Sequence, residues 1–209
     1  MHSSYVIVIF GASGSGKTTL MRLLQDSEDK YSVHFKTSDR PKRKYDDLEL
    51  ISDQSFNPQD FDYVYQAYGH RYGIQRSQID ESIQNNRHHF IICNDVSTIQ
   101  ALKRDYGKRI KTVFFYFDAP EEALLEIQKS RGIDDDEIQI RLAKTAELNR
   151  QFLEYYDLFD GTLVNHFQEG TDALKHRMET LLAQFADHDK ILLSNLRSLA
   201  TDLSKSIEP

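Results

Sequence analysis

The chain has 209 residues, 39% hydrophobic and 11% aromatic, which suits one domain with a buried core and excludes a chain disordered throughout. Its formal net charge of −7 argues against a general nucleic-acid binder, whose affinity rests on an excess of Lys and Arg. A single cysteine, Cys93, excludes an intrachain disulfide and makes a reducing compartment the simplest setting.

In chain order, residues 5–10 form a continuous β-branched and aromatic run, the pattern of a strand buried on both faces. The run is far shorter than the ~20 residues needed to cross a bilayer. It also lacks the basic start and cleavage site of a signal peptide. The expected location is therefore the cytoplasm, with no membrane partner. A glycine-rich loop follows at once, and residues 17–25 then carry Leu20, Met21, Leu23 and Leu24 among helix formers. Residues 35–87 break this rhythm. They are polar, rich in Tyr, Asp, Gln and Arg, include Pro41 and Pro58, and read as a small insert that holds an acceptor.

Strand patterns return at 90–93 and 112–117, with helical stretches at 96–105 and 121–130. Cys93 closes the first of these runs and reads as a small buried hydrophobe. The alternation implies an α/β fold, a parallel sheet covered by helices on both faces. Residues 131–137 are acidic and open a long helix that runs to about 155. Near the C-terminus Leu192, Leu196, Leu199 and Leu203 form a short a/d-type seam. It suits a last helix packed on its own core, or a helix that pairs two copies into a homodimer. The histidines offer no cysteine pair or His-Glu-x-x-His with which to build a zinc site and read as surface and packing residues; His70, beside Tyr72, is the exception to watch.

The run Gly11, Ala12, Ser13, Gly14, Ser15, Gly16, Lys17, Thr18 meets every defined position of the Walker A pattern, and Thr19 extends it. Glycines let the backbone curl so that its N–H groups converge on phosphate oxygens, and the helix that follows adds the positive end of its dipole. Lys17 is placed to neutralise the transferring group, and the Thr18 hydroxyl to ligate Mg²⁺. The loop says nucleotide; the acceptor region must say what is done with it.

Arg40 and Arg43 flank a proline-fixed turn and can form a paired clamp, because guanidinium groups bond phosphate through two parallel N–H donors. Residues 68–73 read as a glycine-punctuated turn that presents Tyr72. Taken in order, the Walker A loop, Arg40-Pro41-Lys42-Arg43, Tyr72-Gly73, an apolar strand ending at Asp95, Arg131-Gly132 and Arg141-Leu142 resemble guanylate kinase over roughly residues 5–185.

The resemblance implies a P-loop NTPase fold with a small NMP-binding insert and a short lid. It divides the chain into a domain at 1–186 (core 1–34, 88–130 and 143–186; insert 35–87; lid 131–142) and a helical extension at 187–209. It implies that Ser38, Arg40, Arg43, Tyr72 and Asp95 hold the acceptor. Lys17, Arg131 and Arg141 would meet the transferring phosphoryl group, with Asn165 near the donor's base. It further implies ATP and a phosphorylated acceptor as partners, with Mg²⁺ as cofactor and GMP as the default acceptor.

The sequence departs from that family where guanine is read. The glutamate nine residues before the Tyr-Gly tyrosine is Tyr63, although Asp60 or Asp62 could replace it with a small register shift. The hydroxyl residue after Tyr-Gly is Ile74, the serine before the clamp is Lys36, and Leu48 is nearest to the clamp's downstream tyrosine. The first carboxylate of an Asp-x-Asp pair is Cys93. These departures leave two alternatives open: a kinase resembling ribose 1,5-bisphosphate kinases, and a non-catalytic module of the same fold that binds a partner protein.

Overall fold

Val6 to Phe10 are fully buried, and Val6–Gly11 forms the first strand, β1. The computed structural model describes residues 4–25, 29–40, 49–51, 56–67, 69–130, 132–187, 199–201 and 203. Arg43, Leu48, Arg131, Leu192 and Leu196, all singled out in the sequence, lie outside these residues.

Helix α1 spans Lys17–Gln25. After it come strands β2 (Tyr31–Val33), β3 (Lys36–Ser38), β4 (Glu49–Ile51), β5 (Tyr63–Ala67) and β6 (His70–Ile74), then helix α2 (Arg76–Gln84). The remaining elements are β7 (His88–Ile92), α3 (Val96–Tyr106), β8 (Ile110–Asp118), α4 (Glu121–Ser130), α5 (Asp135–Glu154), β9 (Gly161–His166) and α6 (Thr171–Asp187). The parallel five-stranded sheet has the order β2-β7-β1-β8-β9 and is flanked by helices. Its outer registers run from Tyr31 opposite His88 and from Val113 opposite Gly161.

The described residues of the polar segment hold more regular structure than its composition suggests. They build a second, four-stranded sheet in the order β4-β3-β6-β5. Among the described residues of the expected turn, Gly69 alone, at φ +77°, lies outside a strand; His70 to Gly73 belong to β6. Large tyrosines at alternate buried positions of β5, Tyr63 and Tyr65, give the strand its period of two despite the polar residues between them. The acidic run has a local cause as well. Asp134 caps α5 by accepting from Glu137 N at 2.8 Å, and Asp135, Asp136 and Glu137 face the positive end of the helix dipole.

The chain divides into two compact units, residues 1–8 with 24–111 and residues 9–23 with 112–209. In the first, Phe90, Ile91, Ile99, Leu102 and Ile79 are fully buried, and Tyr31 meets Phe90 edge-on at 5.8 Å between ring centroids. In the second, Phe10, Phe114, Phe152 and Phe159 form an aromatic cluster, with Phe114 and Phe152 stacked at 4.0 Å. Gly11 lets β1 approach β8 closely: a Cβ there would lie 2.3 Å from Phe115 O. Among the described residues no helix is long and apolar enough to cross a membrane. Near the C-terminus residues 199–201 and 203 are helical, and Leu203 is buried.

Candidate functional site

Of the residues expected at the donor, those described, Gly11 to Thr19, Arg141 and Asn165, fall in the second unit. β1 ends at Gly11, the chain turns through Gly14 (φ +86°) and Gly16 (φ +100°), and α1 begins at Lys17. Those φ values lie in the left-handed region, which glycine enters without steric cost. The Lys17 ammonium folds back over its own loop. It donates to Gly11 O at 2.9 Å, to Ala12 O, and to Ser15 Oγ at 3.3 Å. Ser15 Oγ in turn donates to Ala12 O at 2.9 Å. A phosphate oxygen offers the same ammonium a stronger, charged acceptor than these neutral carbonyls.

Two amides grip the outside of the loop. Asn165 Nδ2, from β9, donates to Ser15 O at 2.8 Å, and Gln128 Nε2, from α4, donates to Ser13 O at 3.2 Å. Arg141, from α5, reaches the same turn. Its Nη1 donates to Ser13 Oγ at 2.8 Å and to Gln128 Oε1 at 3.2 Å. Its Nε and Nη2 donate to Glu137 Oε1 at 3.1 and 2.6 Å. The sequence pointed to Asn165 and Arg141 but not to Gln128 or Glu137. Glu137 was legible, since an acid four residues before an arginine on a helix forms a pair. Gln128 gave no signal.

Thr18 is exposed in the first turn of α1. Among the described residues no group of three His, Cys, Asp or Glu side chains could hold a metal alone. One hydroxyl, completed by substrate phosphates and water, is the kind of oxygen set that Mg²⁺ takes in phosphoryl-transfer sites.

Of the residues expected to hold the acceptor, those described, Ser38, Arg40, Tyr72 and Asp95, fall in the first unit. Ser38 and Tyr72 are cross-strand partners on β3 and β6, both buried, and Ser38 Oγ accepts from Arg40 N at 3.3 Å. Arg40 is 3% exposed. Asp39 fixes the neighbouring strand: its carboxylate accepts from Arg71 N at 2.7 Å and Arg71 Nε at 2.6 Å. Partial burial works upward on that carboxyl, but the side-chain and backbone bonds from Arg71 outweigh it and hold its pKa below the usual range. His70 lies near the same carboxylate, with Nδ1 3.9 Å from Asp39 Oδ1.

Tyr72 stacks on Tyr65 at 5.2 Å, and the Lys36 ammonium lies 4.5 Å from the Tyr72 ring centroid. Lys36 also donates to Tyr65 OH at 3.3 Å and Ile92 O at 3.4 Å. Asp95 caps α3, accepting from Thr98 N at 2.7 Å and Ser97 Oγ at 2.5 Å.

Three of the departing positions, Tyr63, Ile74 and Cys93, turn inward. Tyr63 OH donates to Asp105 at 2.8 Å, and burial, then this bond, push its pKa up. Ile74 is fully buried. Cys93 is fully buried too, and burial pushes its thiol up to about 12. Asp62 accepts from Arg76 N at 2.8 Å, at the first residue of α2, and Asp60 accepts from Asn57 Nδ2 at 3.1 Å within a local turn, so each carboxylate already has a partner within the chain.

A family model described as guanylate kinase matches residues 3–182. The chain is 24% identical over 169 residues to a protein named guanylate kinase from Sphingopyxis alaskensis, covering 77% of this chain and 74% of that one. It is 28% identical over 170 residues to a protein of the same name from Thermotoga maritima, covering 77% and 78%. The solved structure of guanylate kinase from Anaplasma phagocytophilum aligns with a TM-score of 0.60 at 14% identity, over 88% of this chain and 87% of that one, a likeness of fold alone.

Proposed function

The chain belongs to the guanylate kinase family, and from that premise we propose that it transfers the γ-phosphoryl group of ATP to the phosphate of GMP, giving ADP and GDP. The observation that carries the proposal is the intact phosphate-binding loop, with Lys17 folded over its carbonyls and Arg141 2.8 Å from Ser13 Oγ. In this reading Gly11–Thr19 cradle the ATP phosphates, with Asn165 beside the donor. Lys17, Arg131 and Arg141 neutralise charge on the group in transit. Thr18 would hold Mg²⁺, which supplies further charge neutralisation on the phosphates when bound. Ser38, Arg40, Arg43, Tyr72 and Asp95 hold the acceptor. Such transfer asks mainly for positioning and charge neutralisation, which several cations around a preformed loop supply. The reaction belongs in the cytoplasm, where both nucleotides are available.

A second reading keeps the reaction and changes the acceptor. It is favoured by the Tyr63–Asp105 bond, which commits the residue at the expected guanine-reading position to α3, and by Lys36, a cation beside Tyr72. A site that hydrogen-bonds a base discriminates because wrong partners leave its polar groups unpaired, and Tyr63 and Ile74 remove that mechanism. The acceptor would then be a small sugar phosphate such as ribose 1,5-bisphosphate.

A coupled ADP-release assay with Mg²⁺–ATP and GMP, dGMP, AMP, CMP, UMP, IMP or ribose 1,5-bisphosphate separates the two. GMP as the fastest substrate supports the first reading; no rate with GMP above the ATP-only control rejects it. Lys17→Ala is expected to lower the transfer rate by roughly 10²–10³-fold, the usual loss when a group stabilising transition-state charge is removed.

A further inference from the structure

We propose that Gln128 is a positioning residue of the donor site, setting the phosphate-binding loop and Arg141 together so that one ATP phosphate meets both. The inference rests on the kinase reading and deepens its donor half. Gln128 lies in α4 and is 2% exposed. Its Nε2 donates to Ser13 O at 3.2 Å, while its Oε1 accepts from Arg141 Nη1 at 3.2 Å. The chemistry of the partners fixes the orientation of the amide, because a carbonyl only accepts and a guanidinium only donates.

Few side chains can take this place. Glutamate would turn an acceptor against Ser13 O. Lysine would set a like charge against Arg141. Leucine would leave a carbonyl and a buried guanidinium donor unmet, which costs more than the bonds are worth when made.

The bond also aims the loop. A trans peptide holds its N–H opposite its C=O. Drawing Ser13 O toward Gln128 therefore points Gly14 N–H the other way, and drawing Ser15 O toward Asn165 does the same for Gly16 N–H. Two alternate N–H donors are thus held ready for an anion, as in other anion-binding nests. Gly14 is part of this fit, since a Cβ there would lie 2.5 Å from Gln128 Nε2. On its far side the same amide holds Arg141, whose Nη1 also bonds Ser13 Oγ. Loop and arginine are therefore positioned by one side chain before any nucleotide arrives.

The test compares Gln128→Leu and the near-isosteric Gln128→Glu with the wild-type chain, by calorimetric titration of Mg²⁺–ATP and by KM and kcat with the best acceptor. Both variants are expected to bind Mg²⁺–ATP about tenfold more weakly, the size of one lost hydrogen bond to a charged or strained group. KM for the acceptor should stay unchanged. Gln128→Glu, which retains an acceptor for Arg141, should keep a higher kcat than Gln128→Leu. Variants that bind Mg²⁺–ATP as tightly as wild type overturn the proposal. So does an equal loss of ATP and acceptor affinity with a lower melting temperature, the mark of a purely structural role. A wild-type chain that binds no Mg²⁺–ATP overturns the kinase reading itself, and this inference with it.

Discussion

The Tyr63 hydroxyl donates to Asp105 across 2.8 Å, and Arg76 donates to the same carboxylate oxygen while lying over the Tyr63 ring. β5 and α3 are thereby tied through a residue that the family resemblance would assign to reading a base. Removing the hydroxyl should therefore act on stability rather than on recognition. Tyr63→Phe is expected to lower the melting temperature by roughly 2–4 °C, about the shift that a lost hydrogen bond produces in a chain of this size. KM for the acceptor should not change. A raised KM with unchanged melting would place Tyr63 against the acceptor instead.

How far the sequence could be read depended on how local each signal was. The phosphate-binding loop was legible because its glycines, lysine and threonine are consecutive and its flanking strand and helix announce themselves. Gln128 was invisible because its partners stand 115 residues before it and 13 after it. No window along the chain brings Ser13, Gln128 and Arg141 together. The polar insert was legible as an insert but not as a sheet, because its core positions are tyrosines whose hydroxyls hide their apolar rings from a hydropathy pattern. Asp134 to Glu137 illustrate the opposite case: an acidic run with a purely local reason, a capped helix start.

Gly73 has a packing role that its place beside Tyr72 conceals. A Cβ added there would lie 2.3 Å from the Phe61 ring. Phe61 stacks on Phe56 at 4.9 Å, so its ring cannot simply swing aside. Gly73→Ala should cost about 1–3 kcal/mol, the usual range for overpacking a filled site. Urea unfolding of the variant checks the value, and a loss below that range would show that the hairpin yields.

Cys93 should be inert in the folded chain. Its thiol is fully buried, and burial pushes it up to about 12, so almost none is thiolate near neutral pH. Its Sγ lies 3.8 Å from Asp95 O, to which it donates weakly. A thiol reagent such as Ellman's should label the chain only after a denaturant is added. Rapid labelling of the native chain would contradict the burial.

The last prediction concerns a buried histidine pair. His34 Nδ1 lies 3.0 Å from His89 Nε2, and His89 Nδ1 lies 2.7 Å from Ser32 Oγ and 2.8 Å from Ser82 Oγ. Ser82 donates its proton to Gln78 O, and Ser32 Oγ lies 2.7 Å from Ser82 Oγ. One proton order satisfies every contact. Ser32 donates to Ser82, His89 Nδ1–H donates to the serines, and His34 Nδ1–H donates to His89 Nε2. His34 Nε2 is then a bare lone pair, buried without a hydrogen-bond partner.

Neither ring can gain a proton without loss in this arrangement. Burial holds His34 well below its usual pKa, helped by His89 and Lys36, and burial with Arg87 lowers His89 to about 3. In the unfolded chain both titrate near ~6.5. The folded values are depressed, so the unfolded chain binds more protons below that pH. The stability is present in full above ~6.5 and is lost as pH falls from there toward the folded values. The slope should approach about 1.4 kcal/mol per pH unit for each histidine titrating only in the unfolded state. Urea unfolding between about pH 7.5 and about pH 5 measures it. His89→Gln, which keeps a donor and an acceptor but cannot titrate, should reduce that slope by one histidine's share, whereas an unchanged slope would mean that the acid sensitivity lies elsewhere.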